Sequence, residues 1–192
     1  MPLSDPLSVV KILTDIFETI KIQYLIGGSL ASSLHGIPRA TQDVDVVADL
    51  KTNQTYKFIE SLKTSFFIDE ELIKTSIKKR ETFNIIDKEY LFKIDIFLQG
   101  IDGTSKEEMQ RRVLYQIPGT NGQQIYVSSP EDIIAHKLFW YKLGNNISER
   151  QWNDAANVLK VQNDKLDFEY LKKVCIARDV FDLYEKLLKE SK

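Results

Sequence analysis

Apolar residues recur every three or four positions over residues 4–22. Val9, Ile12, Leu13, Ile16 and Ile20 fall on one side, which predicts an amphipathic helix capped by Ser4 or Asp5, with Pro6 in its first turn. The pattern then changes. Tyr24, Leu25 and Ile26 make a short apolar run suited to a buried strand, and Gly27 and Gly28 follow at once as a sharp turn with bare backbone. Leu30, Ala31 and Leu34 return to helical spacing until Gly36 and Pro38 stop it. Strict alternation in DVDVVA then predicts a strand over 43–48, with Val44, Val46 and Ala48 turned toward a core and Asp43 and Asp45 on the other face.

The polar stretch 51–54 precedes a helix whose inward positions are Tyr56, Phe58, Ile59 and Leu62. A short strand over 65–69 leads to a helix over 70–79 with Leu72, Ile73 and Ile77 as its apolar positions. Residues 82–87 and 90–98 read as a hairpin turning at Asp87 and Lys88. In its second strand Ile94, Ile96 and Leu98 share one face, and Lys93, Asp95 and Phe97 the other. Residues 101–122 are loop-rich around one short charged helix at 106–114, and 124–127 is a strand. Ser129 and Pro130 start a helix over 130–143, whose buried arc is Ile133, Ile134, Leu138 and Tyr141. Helices follow over 148–160, 168–176 and 179–188, the last with Phe181, Tyr184, Leu187 and Leu188 as core positions. This order predicts an α/β (α+β) protein: a mixed sheet with flanking helices over 1–127 and a helical part over 128–192.

A chain of 192 residues with 43% hydrophobic content can bury a sizeable core. Its net charge of −2 argues against a general nucleic-acid binder, so any RNA or DNA contact has to be local. One cysteine, Cys175, excludes an intramolecular disulfide and a cysteine zinc cluster, and is read as a small buried apolar residue in a reducing cytosol. No apolar run is long enough to span a bilayer and the N-terminus lacks a charged-then-apolar signal, so the expected location is cytoplasmic with no membrane partner.

The alternation carries the chemistry. Asp43 and Asp45 sit roughly 7 Å apart at their α-carbons on one strand face, where like charges repel. A divalent cation is the simplest compensation, and magnesium prefers one or two carboxylates with phosphate oxygens and water. The turn at Gly27, Gly28 and Ser29 aims the start of a short helix outward, a place suited to phosphate. Arg39 could pair with the acids or with a triphosphate, and Thr41 fixes the loop or begins the strand. His35 is either a nucleotide contact or a histidine near a helix C-terminus. Asp95, flanked by isoleucines in a strand, is costly unless it is paired or on an exposed face. No glycine-rich loop ending in lysine occurs, which argues against a P-loop ATPase or kinase.

The order Gly27-Gly28-Ser29, then Arg39 and Thr41, then Asp43-x-Asp45, resembles the nucleotidyltransferase superfamily that includes DNA polymerase beta. The resemblance implies that Asp43, Asp45 and Asp95 hold metal, with Asp95 the third acid that accepts or places the incoming hydroxyl. It implies that Gly27, Gly28, Ser29, Arg39 and Thr41 bind the nucleotide. A two-ion magnesium site, a nucleoside triphosphate substrate and pyrophosphate release come with it. The run SPEDIIAHK over 129–137, followed by Arg150 and Asp154, is similar to the abortive-infection nucleotidyltransferases known as AbiEii. That likeness implies a catalytic Lys137. It matches Arg150 and Asp154 to an Arg-Asp-x-x-Asp segment, in which Gln151 replaces the first aspartate. Members of that family act as toxins paired with an antitoxin or extend tRNA ends, and other relatives modify antibiotics or proteins. The implied acceptor is an RNA end, a protein or a small molecule, and the implied partner an antitoxin protein.

The residues alone leave other readings open. Lys137 could snorkel from its apolar arc, and Arg150 and Asp154 could be a plain helical ion pair. The basic run 78–80 is a solvated face or an aid to an anionic substrate. A non-catalytic nucleotide- or partner-binding module would carry the same fold.

Overall fold

The computed structural model describes residues 6–118, 120 and 122–191, so the expected caps Ser4 and Asp5 lie outside the described residues. Along the chain the elements are α1 (Pro6–Thr19), β1 (Tyr24–Ile26), α2 (Gly28–His35), β2 (Asp43–Ala48), α3 (Thr55–Leu62), β3 (Phe66–Phe67), α4 (Glu70–Lys79), β4 (Phe83–Asp87) and β5 (Lys93–Leu98). Then come α5 (Gly103–Arg111), β6 (Val113–Gln116), β7 (Gln124–Val127), α6 (Pro130–Leu143), α7 (Glu149–Gln162), α8 (Phe168–Ala177) and α9 (Phe181–Glu190). They form two compact units. One is the chain up to Ile26 with Thr41–Val127; the other is Gly27–Ala40 with Ser128–Lys192. The helix after the double glycine therefore groups with the C-terminal helices.

In the first unit seven strands form one mixed sheet in the order β3-β4-β5-β2-β1-β7-β6. The central pair β2 and β5 is parallel, while β1 with β2 and β4 with β5 are antiparallel. Val44, Val46 and Ala48 of β2, Ile94 and Ile96 of β5, and Phe83 and Ile85 of β4 are all buried. Phe17 of α1 stacks on Tyr24 of β1 at 5.3 Å and on Phe58 of α3 at 5.7 Å, and Phe58 meets Phe83 edge-on at 6.2 Å. Those four rings join α1 and α3 to the sheet, each contributing about 1.5–3 kcal/mol by burial. The other face of β2 and β5 carries Asp43, Asp45 and Asp95 at intermediate burial.

Several expectations shift once the neighbours are in place. The buried side of α1 is Val9, Val10, Leu13, Thr14 and Phe17, because the Phe17 ring turns inward, while Ile12, Ile16 and Ile20 are only partly covered. Tyr56 is 77% exposed, and α3 buries Phe58, Ile59 and Leu62 instead. Leu72 faces outward while Ile73, Ser76 and Ile77 are covered. The hairpin strand begins at Lys93 because the Asp87 carboxylate accepts the N–H groups of Glu89 (3.1 Å) and Tyr90 (2.7 Å) and curls the chain. The charged helix runs over Gly103–Arg111, started by Asp102, whose carboxylate accepts the Ser105 N–H at 2.9 Å. Val113–Gln116, expected to be helix and loop, is the edge strand β6, antiparallel to β7.

In the second unit α6 and α7 pack side by side, with α2 against both. Gly36 ends α2 so close to α7 that a Cβ there would stand 3.0 Å from the Val158 nitrogen and from the Ser32 carbonyl oxygen. Ser129 caps α6 by accepting the Asp132 N–H at 3.1 Å, with Pro130 in the first turn. Glu131 accepts the Asp167 N–H at 2.8 Å, and buried Asp132 accepts the Tyr170 hydroxyl at 2.9 Å, which ties α6 to α8. Leu183, Tyr184 and Leu187 are buried on α9, whereas Phe181 and Leu188 are partly covered. Cys175 is fully buried, and burial pushes its thiol up to about 12. Among the described residues no helix is long and apolar enough to cross a membrane.

Candidate active site

The parallel register of β2 and β5 pairs Asp43 with Lys93 and Asp45 with Asp95. Neighbouring strands lie about 4.8 Å apart, and alternate residues share a face. Four charged side chains therefore occupy a two-by-two patch on one side of the sheet. The Thr41 hydroxyl stands 3.0 Å from the Asp43 carboxylate and 3.0 Å from the Asp43 carbonyl, so Thr41 braces the start of β2. The Lys93 ammonium lies 2.7 Å from the Asp95 carboxylate, with side-chain exposures of 50% and 19%. Asn84 on β4 is the register partner of Asp95 on its other side. Sequence reasoning gave no role to Lys93 or Asn84, although the period-two pattern already put Lys93 on the face of Asp95.

Among the described residues no group of three or more His, Cys, Asp or Glu side chains is already closed around a metal position. The donor set nonetheless fits a hard divalent cation: carboxylate oxygens only, on a partly exposed face where water can complete the shell.

The second unit holds the other candidates. Gly28 has φ +57°, a backbone conformation that favours glycine, and it opens α2 directly before buried Ser29. The Ser29 hydroxyl accepts from Arg39 Nη2 at 2.7 Å and from Arg150 Nη2 at 3.1 Å. Arg39 also grips Asp154 with both arms, Nε to Oδ1 at 2.9 Å and Nη2 to Oδ2 at 2.8 Å. Lys137 Nζ is 2.7 Å from Asp154 Oδ2, and the Ser32 hydroxyl donates to the same oxygen at 3.3 Å. Burial alone would raise the Asp154 pKa, but donation from Arg39 and Lys137 outweighs it and holds the carboxyl below its usual range. Burial pushes the Lys137 ammonium down, Asp154 opposes, and the charges of Arg39 and Arg150 add to the downward push.

Two open questions about this unit are settled. Lys137 does not snorkel; it is 4% exposed. Asp154 gives its oxygens to Arg39 and Lys137, and Arg150 turns to Ser29 rather than forming a helical pair with Asp154. His35, at the end of α2, donates from Nε2 to the Ser128 carbonyl at 2.8 Å, and burial pushes its pKa down.

The candidates thus fall into two groups, one in each unit. Thr41, Asp43, Asp45 and Asp95 share the sheet face, while Ser29, Arg39 and Lys137 meet Arg150 and Asp154 just beyond Gly27 and Gly28. The first group can hold a cation. In the second, two guanidinium groups donate to one neutral hydroxyl, Arg39 while also holding Asp154, and a phosphate oxygen is a far better acceptor than that hydroxyl. A cavity of about 350 Å³ opens elsewhere, lined by Asp49, Lys51, Arg80, Gln99 and Lys106 at the far ends of β2 and β5. It contains none of these candidates and lies about 13 Å along the strands from Asp45 and Asp95.

No protein-family model and no curated protein matches the chain. Solved structures do. An antigenic nucleotidyltransferase-like protein from Paracoccidioides brasiliensis superposes with a TM-score of 0.56 at 18% identity, covering 94% of this chain and 90% of that one. The antibiotic-resistance factor ANT(2'')-Ia in solution gives 0.53 at 12% identity, covering 95% and 94%. The same factor in complex with adenylyl-2''-tobramycin gives 0.51 at 12% identity, covering 90% and 95%. At these identities the likeness is one of fold, and the fold is of the nucleotidyltransferase type.

Proposed function

We propose that this chain is a magnesium-dependent nucleotidyltransferase that moves a nucleoside monophosphate from a nucleoside triphosphate to an acceptor hydroxyl. The observation that carries this reading is the register pairing of Asp45 with Asp95 beside Asp43 on one sheet face, in a fold of this type. Asp43 and Asp45 hold magnesium, with Asp95 completing the acid set; the bound ion supplies positive charge to the phosphate oxygens. The acceptor oxygen forms a bond to the α-phosphorus, the bond to the bridging oxygen of the β-phosphate breaks, and pyrophosphate leaves. Asp95 takes the acceptor proton or orients the hydroxyl that loses it. Ser29, with Arg39, Lys137 and Arg150, binds the outer phosphates, since three cations gathered around a single carboxylate, of which only Arg39 and Lys137 touch it, retain positive charge for an anionic ligand.

This division of labour gives the acid face of β2 and β5 the chemistry, and residues 27–40 with the helices after residue 128 the phosphate binding. Incubation with α-labelled nucleoside triphosphates, magnesium and RNA, protein or small-molecule acceptors tests the reading. Transfer of label with release of pyrophosphate supports it; tight triphosphate binding with no turnover on any acceptor favours a non-catalytic binding module. The toxin role and the antitoxin partner rest on the AbiEii resemblance, and growth arrest on expression, lost in Asp43→Ala, is the result that would carry them.

A further inference from the structure

We infer that Lys93 is a resident cation of the acid face, and that this face takes one divalent ion, at Asp43 and Asp45, rather than two. The inference rests on the proposed transferase reading and deepens it. Lys93 is the register partner of Asp43 and lies two residues before Asp95, so it stands on the same face as all three acids. Its ammonium is 2.7 Å from the Asp95 carboxylate, the distance of a charge-assisted hydrogen bond. Three carboxylates and one ammonium leave the patch a formal charge of −2, which a single divalent ion balances. An ion entering at Asp95 would have to expel an ammonium already bound there, and the two cations repel at such range. Lysine, a compact point charge on a flexible stem, suits the place of a second ion better than the planar arginine fork. Lys93 is thus a positioning residue: it fixes the Asp95 carboxylate and supplies positive charge beside it. The sequence carries the signal in the K-x-D spacing on a strand.

Manganese titration of the intact chain, followed by the electron paramagnetic resonance of free and bound ion, reads this directly. Wild-type protein is expected to take up one Mn²⁺ with an uncoupled spectrum. Lys93→Met is expected to take up two, with the halved hyperfine spacing of an exchange-coupled pair, and Lys93→Arg to stay at one. A circular dichroism melt within a few degrees of wild type shows that each variant is folded. Two coupled ions in wild-type protein, or one ion in folded Lys93→Met, would overturn the inference while leaving the transferase reading intact. Uptake that survives Asp43→Asn combined with Asp45→Asn, or no uptake at all, would overturn both.

Discussion

Lys137 and Asp154 form an ion pair at 2.7 Å with both side chains more than nine-tenths buried. A buried pair of this kind is supported by its surroundings, and Arg39 and Ser32 occupy the remaining carboxylate positions. Removing one partner leaves a buried charge without its mate. Asp154→Ala is expected to cost about 3–5 kcal/mol in urea unfolding. Replacing Lys137 by Met in the same chain should recover part of that loss, because the stranded ammonium goes with it. A loss below about 1 kcal/mol for Asp154→Ala would show that the pair is solvated in solution.

Arg39 carries two tasks, bracing Asp154 through both arms and donating to Ser29. Lysine cannot keep the two-armed geometry. Arg39→Lys is expected to raise the KM for the triphosphate about tenfold or more, the equivalent of one charge-assisted hydrogen bond. The turnover number should change less. A variant with unchanged KM and normal turnover would remove Arg39 from phosphate binding.

His35 predicts a pH effect on stability. Burial lowers its folded pKa below the ordinary 6.5, and it donates to the Ser128 carbonyl. In the window between the folded pKa and 6.5, the unfolded chain binds the proton and the folded one does not. Stability from this group is therefore complete above 6.5 and declines as pH falls toward the folded pKa. Urea unfolding from about pH 7.5 down to about pH 5 should show that decline in wild-type protein and a shallower one in His35→Gln. Equal slopes for the two proteins would refute the assignment.

The part of the site that was legible depended on periodicity. Alternation alone placed Asp43 and Asp45 together and put Lys93 beside Asp95, because a strand repeats every two residues whatever surrounds it. The glycine turn was equally readable, and Gly28 does adopt positive φ. The pairing of Asp154 with Arg39, 115 residues away, left no local trace. Helix faces were read less well. The apolar pattern of α1 admits two neighbouring faces, and the one that is buried was decided by the Phe17 ring meeting Tyr24 and Phe58. Tyr56 and Leu72 sit at helical spacing but find no partner layer above them. Strand β6 was hidden because four residues of weak alternation beside a charged helix read equally well as its continuation.

Magnesium should be required. Chelation with excess EDTA is expected to stop transfer, and added magnesium to restore it without refolding, since the buried faces of β2 and β5 beneath the acids, Val44, Val46, Ile94 and Ile96, are apolar and need no metal to pack. Undiminished transfer after chelation would exclude the metal role of the acid face.

Pyrophosphate release by Asp95→Asn, compared with wild-type protein under saturating triphosphate and magnesium, tests the central claim most directly. Asp95 sits on a partly exposed face, so the variant should fold, with a melting temperature close to wild type. Its rate is expected to fall by about 10²–10⁴-fold, the range for a lost proton-handling carboxylate. A folded Asp95→Asn variant that releases pyrophosphate at the wild-type rate would contradict the account.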